Sequence, residues 1–248
     1  MSKLTLSCSL LCALLPLILL TACATNAPLD ILSYPAIENQ RQPRLLIFLR
    51  GRGGSHADYD RYGFVDDIRQ RKLPYDMKAP NAHMGYYVGR SLVQRLKKDI
   101  IDPARASGYE EIWLVGASMG GLGALLYTKF HPNDIDGVFI ISPFLGERET
   151  IRTIQAAGGL ATWEPGTYDP NDDWQIMLWD SLKTRAATNW EGTPLYLGYG
   201  TSDMFVEAQG LLGAHLPSER VFTAPGGHTP EVMRRVWLKY LDAGGLAH

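Results

Sequence analysis

Short apolar segments alternate with amphipathic stretches from Arg44 to the end of the chain. This alternation predicts an α/β fold in which a mostly parallel sheet is covered by helices on both faces. Four of the segments are almost entirely apolar, as expected of strands that are buried on both sides. The predicted strands are residues 45–49, 75–79, 112–115, 138–141, 195–199 and 220–223.

Between these strands, apolar residues recur at the three- and four-residue spacing of helices. Two such series lie at residues 92–101 and 122–130. A third helix is predicted to begin at Thr229, because a capping hydroxyl followed directly by Pro230 is typical of a helix start. Its predicted buried stripe consists of Met233, Val236, Trp237, Tyr240 and Leu241.

A long insertion separates the fourth predicted strand from the fifth. About 50 residues lie between them, whereas the median connection is ~4–6 residues. We interpret residues 145–192 as a cap over the functional site, in which Trp174 and Trp179 contact a substrate. The alternative is that these tryptophans, with Trp163 and Trp190, only pack the insertion onto the sheet.

The N-terminus has the pattern of a secretory signal peptide at residues 1–22. Lys3 precedes an apolar run at residues 10–20, followed by Leu-Thr-Ala-Cys ending at Cys23. A retained membrane span is the weaker interpretation, because the run is far shorter than the ~20 residues needed. The tetrapeptide resembles the lipidation site of bacterial lipoproteins, which implies that Cys23 is acylated. Ala24 in place of Asp favours the outer membrane by the same resemblance.

Processing at Cys23 leaves a tether at residues 23–43 and one domain at residues 44–248. Cys8 and Cys12 are removed with the signal peptide, so the processed chain cannot form an internal disulfide. The full sequence of 248 residues includes 24 Lys+Arg and 26 Asp+Glu, and 46% of its residues are hydrophobic. This ordinary globular composition excludes a disordered chain and offers no indication of nucleic-acid binding.

The most informative motif is Gly-Ala-Ser-Met-Gly, residues 116–120, which follows a predicted strand and opens a predicted helix. A serine at such a sharp turn has its hydroxyl exposed, and small neighbours let the chain turn so tightly. The helix that follows directs N–H groups at the site. We therefore identify Ser118 as a nucleophile. The alternative is a glycine-rich turn with a structural serine.

A serine nucleophile needs a base and an orienting acid, in the chain order Ser, Asp or Glu, His. Asp203 and His228 each lie just past a predicted late strand. They are the candidate acid and base, with Asp180 or Asp169 as alternative acids. The glycine-rich loop after the first predicted strand supplies one candidate oxyanion donor, the N–H of Arg52, and the N–H of Met119, which directly follows Ser118, is the other.

Residues 44–241 resemble an α/β-hydrolase, and the Gly-x-Ser-Met-Gly-Gly motif is similar to that of many bacterial esterases. Arg50 departs from the pattern, since many members have histidine there. The resemblance implies a serine hydrolase that cleaves a small-molecule, lipid or glycan ester without a cofactor. Alternatives are an acyltransferase to a glycan or lipid alcohol, a peptidase or thioesterase, and a non-catalytic binding module.

One acidic segment has the partial spacing of a calcium loop, with Asp169, Asn171, Asp173 and Asp180 at positions 1, 3, 5 and 12. Trp174 stands where that loop requires glycine, and position 12 is Asp instead of Glu. We therefore interpret the segment as a solvated acidic turn and predict no metal site. The remaining expectation is a lipid-anchored enzyme of the bacterial cell envelope.

Overall fold

The computed structural model describes residues 25–247, so the predicted signal peptide and Cys23 lie outside the described residues. The strands are β1 (Ile31–Tyr34), β2 (Arg44–Leu49), β3 (Tyr75–Pro80), β4 (Glu111–Ala117), β5 (Gly137–Ile141), β6 (Leu195–Gly200) and β7 (Val221–Ala224). Within the described chain they form one sheet of order β1-β3-β2-β4-β5-β6-β7. Strand β1 is antiparallel to β3, and all other neighbours are parallel.

Helices cover this sheet on both faces. They are α1 (Asp58–Arg61), α2 (Phe64–Gln70), α3 (Met84–Val88), α4 (Leu92–Leu96), α5 (Asp102–Ala106), α6 (Met119–Phe130), α7 (Arg148–Ala156), α8 (Trp174–Ala187), α9 (Val206–Gly213) and α10 (Pro230–Asp242). A π-helical turn, Lys97–Ile101, joins α4 to α5 and completes the helical series predicted at residues 92–101. The Thr229 hydroxyl caps α10 by accepting from the Val232 N–H.

The six predicted strands and the covered parallel sheet are confirmed. Strand β2 shows why the pattern was informative, since its side chains alternate between two cores. Leu45, Ile47 and Leu49 belong to the core that includes residues of α4, α6 and α9 on one face, whereas Leu46 and Phe48 belong to the core that includes residues of α2 and α10 on the other. Burial on both faces requires an unbroken apolar strand, which is what the sequence contains.

The predicted tether at residues 23–43 is wrong at residues 29–34, which belong to the folded domain. Ile31–Tyr34 forms the edge strand β1, which pairs with β3 from Ile31 opposite Pro80 to Tyr34 opposite Met77. Upstream, Leu29 is buried and its N–H donates to Asp99 at 2.9 Å. The edge of the sheet therefore continues toward the N-terminus, because β3 would otherwise expose unpaired backbone groups.

The insertion at residues 145–192 contains α7 and α8 and packs against the α6 side of the sheet. Ile151 and Ile154 of α7 and Leu178 and Leu182 of α8 belong to the same core as α6. Among residues 25–247, no helix combines the length and apolar character that a membrane crossing requires.

Candidate active site

The carboxyl edge of the sheet gathers three polar side chains from distant parts of the sequence. Ser118 follows β4, Asp203 lies in the loop after β6, and His228 lies in the loop after β7. These strands are parallel and lie within four adjacent positions of the sheet. Their carboxyl ends therefore lie side by side, which is where open α/β sheets place their functional groups.

These three side chains form a continuous hydrogen-bonded chain. His228 Nε2 lies 3.0 Å from Ser118 Oγ. On the other side of the ring, His228 Nδ1 lies 3.0 Å from Asp203 Oδ1 and 2.9 Å from Oδ2. With Nδ1–H donating to the carboxylate, Nε2 is left to accept the serine proton. The geometry can thus move a proton from the hydroxyl to the imidazole.

Burial and hydrogen bonding keep the Asp203 carboxylate in place. Its side chain is fully buried, and the Phe205 N–H donates to Oδ1 at 2.9 Å. Burial acts to raise the pKa of Asp203, but hydrogen bonds from His228 and the Phe205 N–H outweigh it and leave the pKa below its ordinary value. An ionised carboxylate therefore faces the imidazole.

Ser118 occupies a strained turn between β4 and α6. Its φ is 54° and its ψ is −116°, a conformation that costs a non-glycine residue about 1–3 kcal/mol. Two glycines make the turn possible. A Cβ at Gly116 would lie 2.2 Å from the Gly120 carbonyl oxygen, and one at Gly120 would lie 1.9 Å from the Leu49 carbonyl oxygen.

Gly120→Ala is expected to lower the free energy of unfolding by about 3 kcal/mol or more, because the clash is with backbone and not with a movable side chain. Gly210→Ala is the matched control, since a Cβ there meets nothing within 4 Å in α9. The free energy of unfolding of the control should increase by about 1 kcal/mol, because alanine has a higher helix propensity than glycine. Urea unfolding of both variants tests the expectation, and equal stability would contradict it.

The two predicted oxyanion donors flank Ser118. Arg52 and Met119 both line the cavity that opens beside the serine. Within residues 25–247, neither of their backbone N–H groups has a protein acceptor. The loop lies against the nucleophile, because a Cβ added at Gly51 would be 3.4 Å from Ser118 Cβ.

Arg50, which departs from the histidine of many esterases, organises this loop through its guanidinium. Nη1 donates to Asn81 Oδ1 at 2.6 Å, and Nε donates to the Gly51 carbonyl at 3.3 Å. Because the peptide is planar and trans, holding the Gly51 carbonyl on one side directs the Arg52 N–H to the other. Burial lowers the pKa of Arg50.

Tyr59 is a positioning residue that sequence reasoning missed. Its buried hydroxyl donates to the Leu49 carbonyl at 2.8 Å and accepts from the Ala117 N–H at 3.0 Å. It thereby joins the end of β2 to the residue before the nucleophile. No local motif identifies such a residue, because both partners are distant in sequence.

The structure separates the two tryptophans that were predicted to contact substrate. Trp174 lines the cavity beside Ser118, as part of an aromatic row that continues through Phe144 and Phe205 to His228. The prediction for Trp179 is wrong, since its side chain is completely buried and its Nε1–H donates to the Leu145 carbonyl. Trp163 and Trp190 also belong to the core.

The alternative acids lie in other surroundings. Asp180 Oδ2 accepts from the Tyr168 hydroxyl at 2.7 Å, and Asp169 accepts from the Asn171 N–H in an exposed turn. Neither carboxylate contacts His228 among the hydrogen bonds of the described chain.

Comparison with known proteins agrees with this geometry. The family model described as "Putative esterase" matches residues 20–216. The chain belongs to this esterase family. It is therefore a carboxylic ester hydrolase. The matched segment includes Ser118 and Asp203 but ends before His228. No curated protein matches the sequence of this esterase significantly.

Solved structures show that this esterase has the α/β-hydrolase fold. A monoacylglycerol lipase of Paleococcus ferrophilus is 17% identical, with 88% of this chain and 100% of that one covered and a TM-score of 0.55. An S-formylglutathione hydrolase of Staphylococcus aureus is 14% identical over 85% and 84%, with a TM-score of 0.57. A fluorophosphonate-binding serine hydrolase of Staphylococcus aureus is 12% identical over 90% and 100%, with a TM-score of 0.58.

Proposed function

We propose that this esterase cleaves its substrate through a Ser118–His228–Asp203 triad and an acyl-enzyme intermediate. The unbroken hydrogen-bonded chain from Ser118 Oγ to the buried Asp203 carboxylate carries the proposal. Ser118 Oγ attacks the ester carbonyl while His228 Nε2 accepts the hydroxyl proton. Asp203 orients the imidazole and stabilises the imidazolium that forms.

The tetrahedral intermediate places a negative charge beside the start of α6. The N–H groups of Arg52 and Met119 and the N-terminal end of α6 stabilise that charge. Collapse of the intermediate breaks the bond to the alcohol, which takes the proton from His228 Nε2. A water then repeats the attack on the acyl-enzyme, gives its proton to His228 and releases the free acid.

Pre-steady-state burst kinetics test this two-step mechanism. Mixing the protein with excess p-nitrophenyl ester should release a burst of nitrophenol close to one equivalent per enzyme, provided that deacylation is slower than acylation. Intact mass during the burst should show one acyl group, mapped to Ser118. Acyl transfer to added alcohols at the expense of free acid would make the protein an acyltransferase, and an adduct elsewhere would overturn the assignment of Ser118.

We further propose that Cys23 is lipidated and holds the enzyme at the bacterial cell envelope. The Leu-Thr-Ala-Cys sequence that ends at Cys23 supports this proposal. The Thr25 N–H donates to the Gly85 carbonyl in α3. Two residues span at most about 7 Å, so a lipid on Cys23 would keep α3 close to the membrane surface.

Cys23→Ser is expected to move the protein from the membrane fraction to the soluble fraction. Each acyl chain contributes about 0.8 kcal/mol per buried methylene, and two chains give stable anchoring. Membrane fractionation of the full chain, with mass spectrometry of the N-terminal peptide, measures the effect. Activity on a soluble acetyl ester should stay unchanged in the variant. Soluble wild-type protein with an unmodified Cys23 would contradict the proposal.

A further inference from the structure

An elongated cavity of about 1330 Å³ begins at Ser118 and follows the outer face of α6. Its floor is formed by Leu122, Leu126 and Phe130. These residues are four apart, so they lie in one row along the helix. The row begins at the nucleophile and extends to the last residue of α6.

The walls of this α6 groove come from two different parts of the chain and are mainly apolar, although Arg90, Gln94, Glu147 and Asn171 also belong to the lining. One wall consists of Tyr87, Leu92 and Val93, from α3 and α4. The other wall consists of Phe144 and, from α8, Trp174 and Met177. The groove is thus bounded by apolar side chains for most of the length of α6.

Beyond Phe130 the lining of the groove becomes polar. His131, Lys97 and Asp102 line this far end. Lys97 forms salt bridges with Asp102 at 2.9 Å and with Asp134 at 2.6 Å. An apolar ligand that reached past Phe130 would desolvate these charges without replacing their partners. The apolar part of the groove therefore has a defined length.

A second cavity of about 380 Å³ meets the first at the nucleophile. Ser118, Arg52 and Phe205 line both cavities. Within the described chain, His228 belongs to the lining of the smaller cavity and not of the larger, and Met119 belongs to the lining of the larger cavity and not of the smaller. The leaving alcohol must be next to the group that protonates it, which is His228. The alcohol therefore belongs in the smaller cavity and the acyl group in the α6 groove.

We propose that the α6 groove binds the acyl chain of the ester and selects linear chains of about 12–14 carbons. The proposal rests on the function proposed above, since it places the acyl carbonyl at Ser118. From Ser118 to Phe130 the helix rises about 18 Å. An extended chain advances about 1.2 Å per bond, so about 15 bonds fill this length. Three of these bonds join the Ser118 Cα to the acyl carbon, which leaves room for an acyl chain of about 13 carbons.

The proposal predicts how activity depends on acyl length. The value of kcat/KM should rise from acetyl to dodecanoyl esters of p-nitrophenol, by up to about fourfold for each methylene buried. It should stop rising beyond about 14 carbons, where the lining becomes polar. Initial rates measured below the critical micelle concentration of each ester give the profile.

Leu126→Trp tests the position of the chain. Leu126 is about 12 Å along α6 from Ser118, a distance that about ten bonds cover. The indole should block the groove there, lowering kcat/KM at least tenfold for dodecanoyl and tetradecanoyl esters while leaving acetyl and butyryl esters within about twofold. Retained activity on the short esters shows that the variant is folded.

Two matched variants separate a blocked groove from a perturbed helix. Lys129→Trp places the same bulk on α6 at a half-buried residue outside the groove lining, and it should keep the wild-type profile. Leu126→Ala removes bulk and should still accept dodecanoyl esters. If Leu126→Trp leaves the chain-length profile unchanged, the acyl assignment is overturned while esterase activity stands. If the wild type hydrolyses no ester and takes up no fluorophosphonate, the proposed function itself fails.

Discussion

Ser118→Ala should lower kcat for p-nitrophenyl acetate by about 10⁵- to 10⁶-fold. Removing the nucleophile leaves only binding and the oxyanion donors, and in serine hydrolases that residual rate is several orders of magnitude below the intact rate. The loss should fall on kcat, because the removed oxygen forms a bond only after the substrate is bound. Stopped-flow and steady-state assays of the purified variant measure it.

The fold of this variant should be preserved, since alanine adds no atom at a position whose neighbours already accommodate a serine. Ser202→Ala is the matched control, because Ser202 is exposed in the loop beside Asp203. It should keep kcat within about twofold. Fluorophosphonate should label the wild type and the control but not Ser118→Ala. Labelling of the variant at any residue would show that Ser118 is not the nucleophile.

Asp203→Asn should lower kcat by about 10³- to 10⁴-fold. In the wild type both carboxylate oxygens lie within 3.0 Å of His228 Nδ1, so the ring carries its proton on that nitrogen. The Phe205 N–H donates to Oδ1, and an asparagine would keep its carbonyl there and turn its amide toward the ring. Nδ1 would then accept a hydrogen bond, Nε2 would carry the proton, and Ser118 would lose its base.

Asp180→Asn is the control, because the Asp180 carboxylate on α8 accepts a hydrogen bond from Tyr168 and does not contact His228 among the described residues. Normal activity in Asp203→Asn with a large loss in Asp180→Asn would require a new assignment of the acid.

Burial acts to raise the pKa of Asp203, but hydrogen bonds outweigh this effect and the net pKa is lowered. Ionised Asp203 therefore stabilises the fold above about pH 4, and this stabilisation disappears as pH falls through the lowered pKa. Unfolding of Asp203→Asn should depend less on acid pH.

The three residues of the hydrogen-bonded chain could be predicted because each has a local signal. Ser118 lies between two glycines whose lack of a Cβ is required by the turn. Asp203 and His228 follow apolar segments that could be identified as buried strands. In a parallel sheet the carboxyl ends of strands share one edge, so strand order along the chain was enough to bring these residues together.

The supporting residues had no such signal. Tyr59 bonds to Leu49 and Ala117, and Arg50 bonds to Asn81. Each contact joins segments whose separation in space depends on the packing of α1 and on the loop after β3. A tyrosine in a short helix or an arginine in a loop does not stand out in a sequence. The role of such a residue is visible only when its hydrogen-bond partners are located.

Helical periodicity could have excluded the prediction that Trp174 and Trp179 both contact the substrate. Trp174 and Trp179 are five residues apart in α8, which places them about 140° apart around the helix axis. They cannot both face one pocket. The sequence does not say which one does, because that depends on the face of α8 that packs against the core. Trp179 lies on that face, and Trp174 lines the groove.

The sequence by itself determined the covered parallel sheet, the turn at Ser118 and the positions of Asp203 and His228 just past buried strands, because burial periodicity and backbone sterics act within a few residues. Only the tertiary structure decided that Ile31–Tyr34 is a strand. This segment of two apolar and two polar residues becomes a strand by pairing with the open edge of β3. The tertiary structure likewise decided the course of the α6 groove. That groove exists because α3 and α4 on one side, and α8 from a distant part of the sequence on the other, flank one row of α6 side chains.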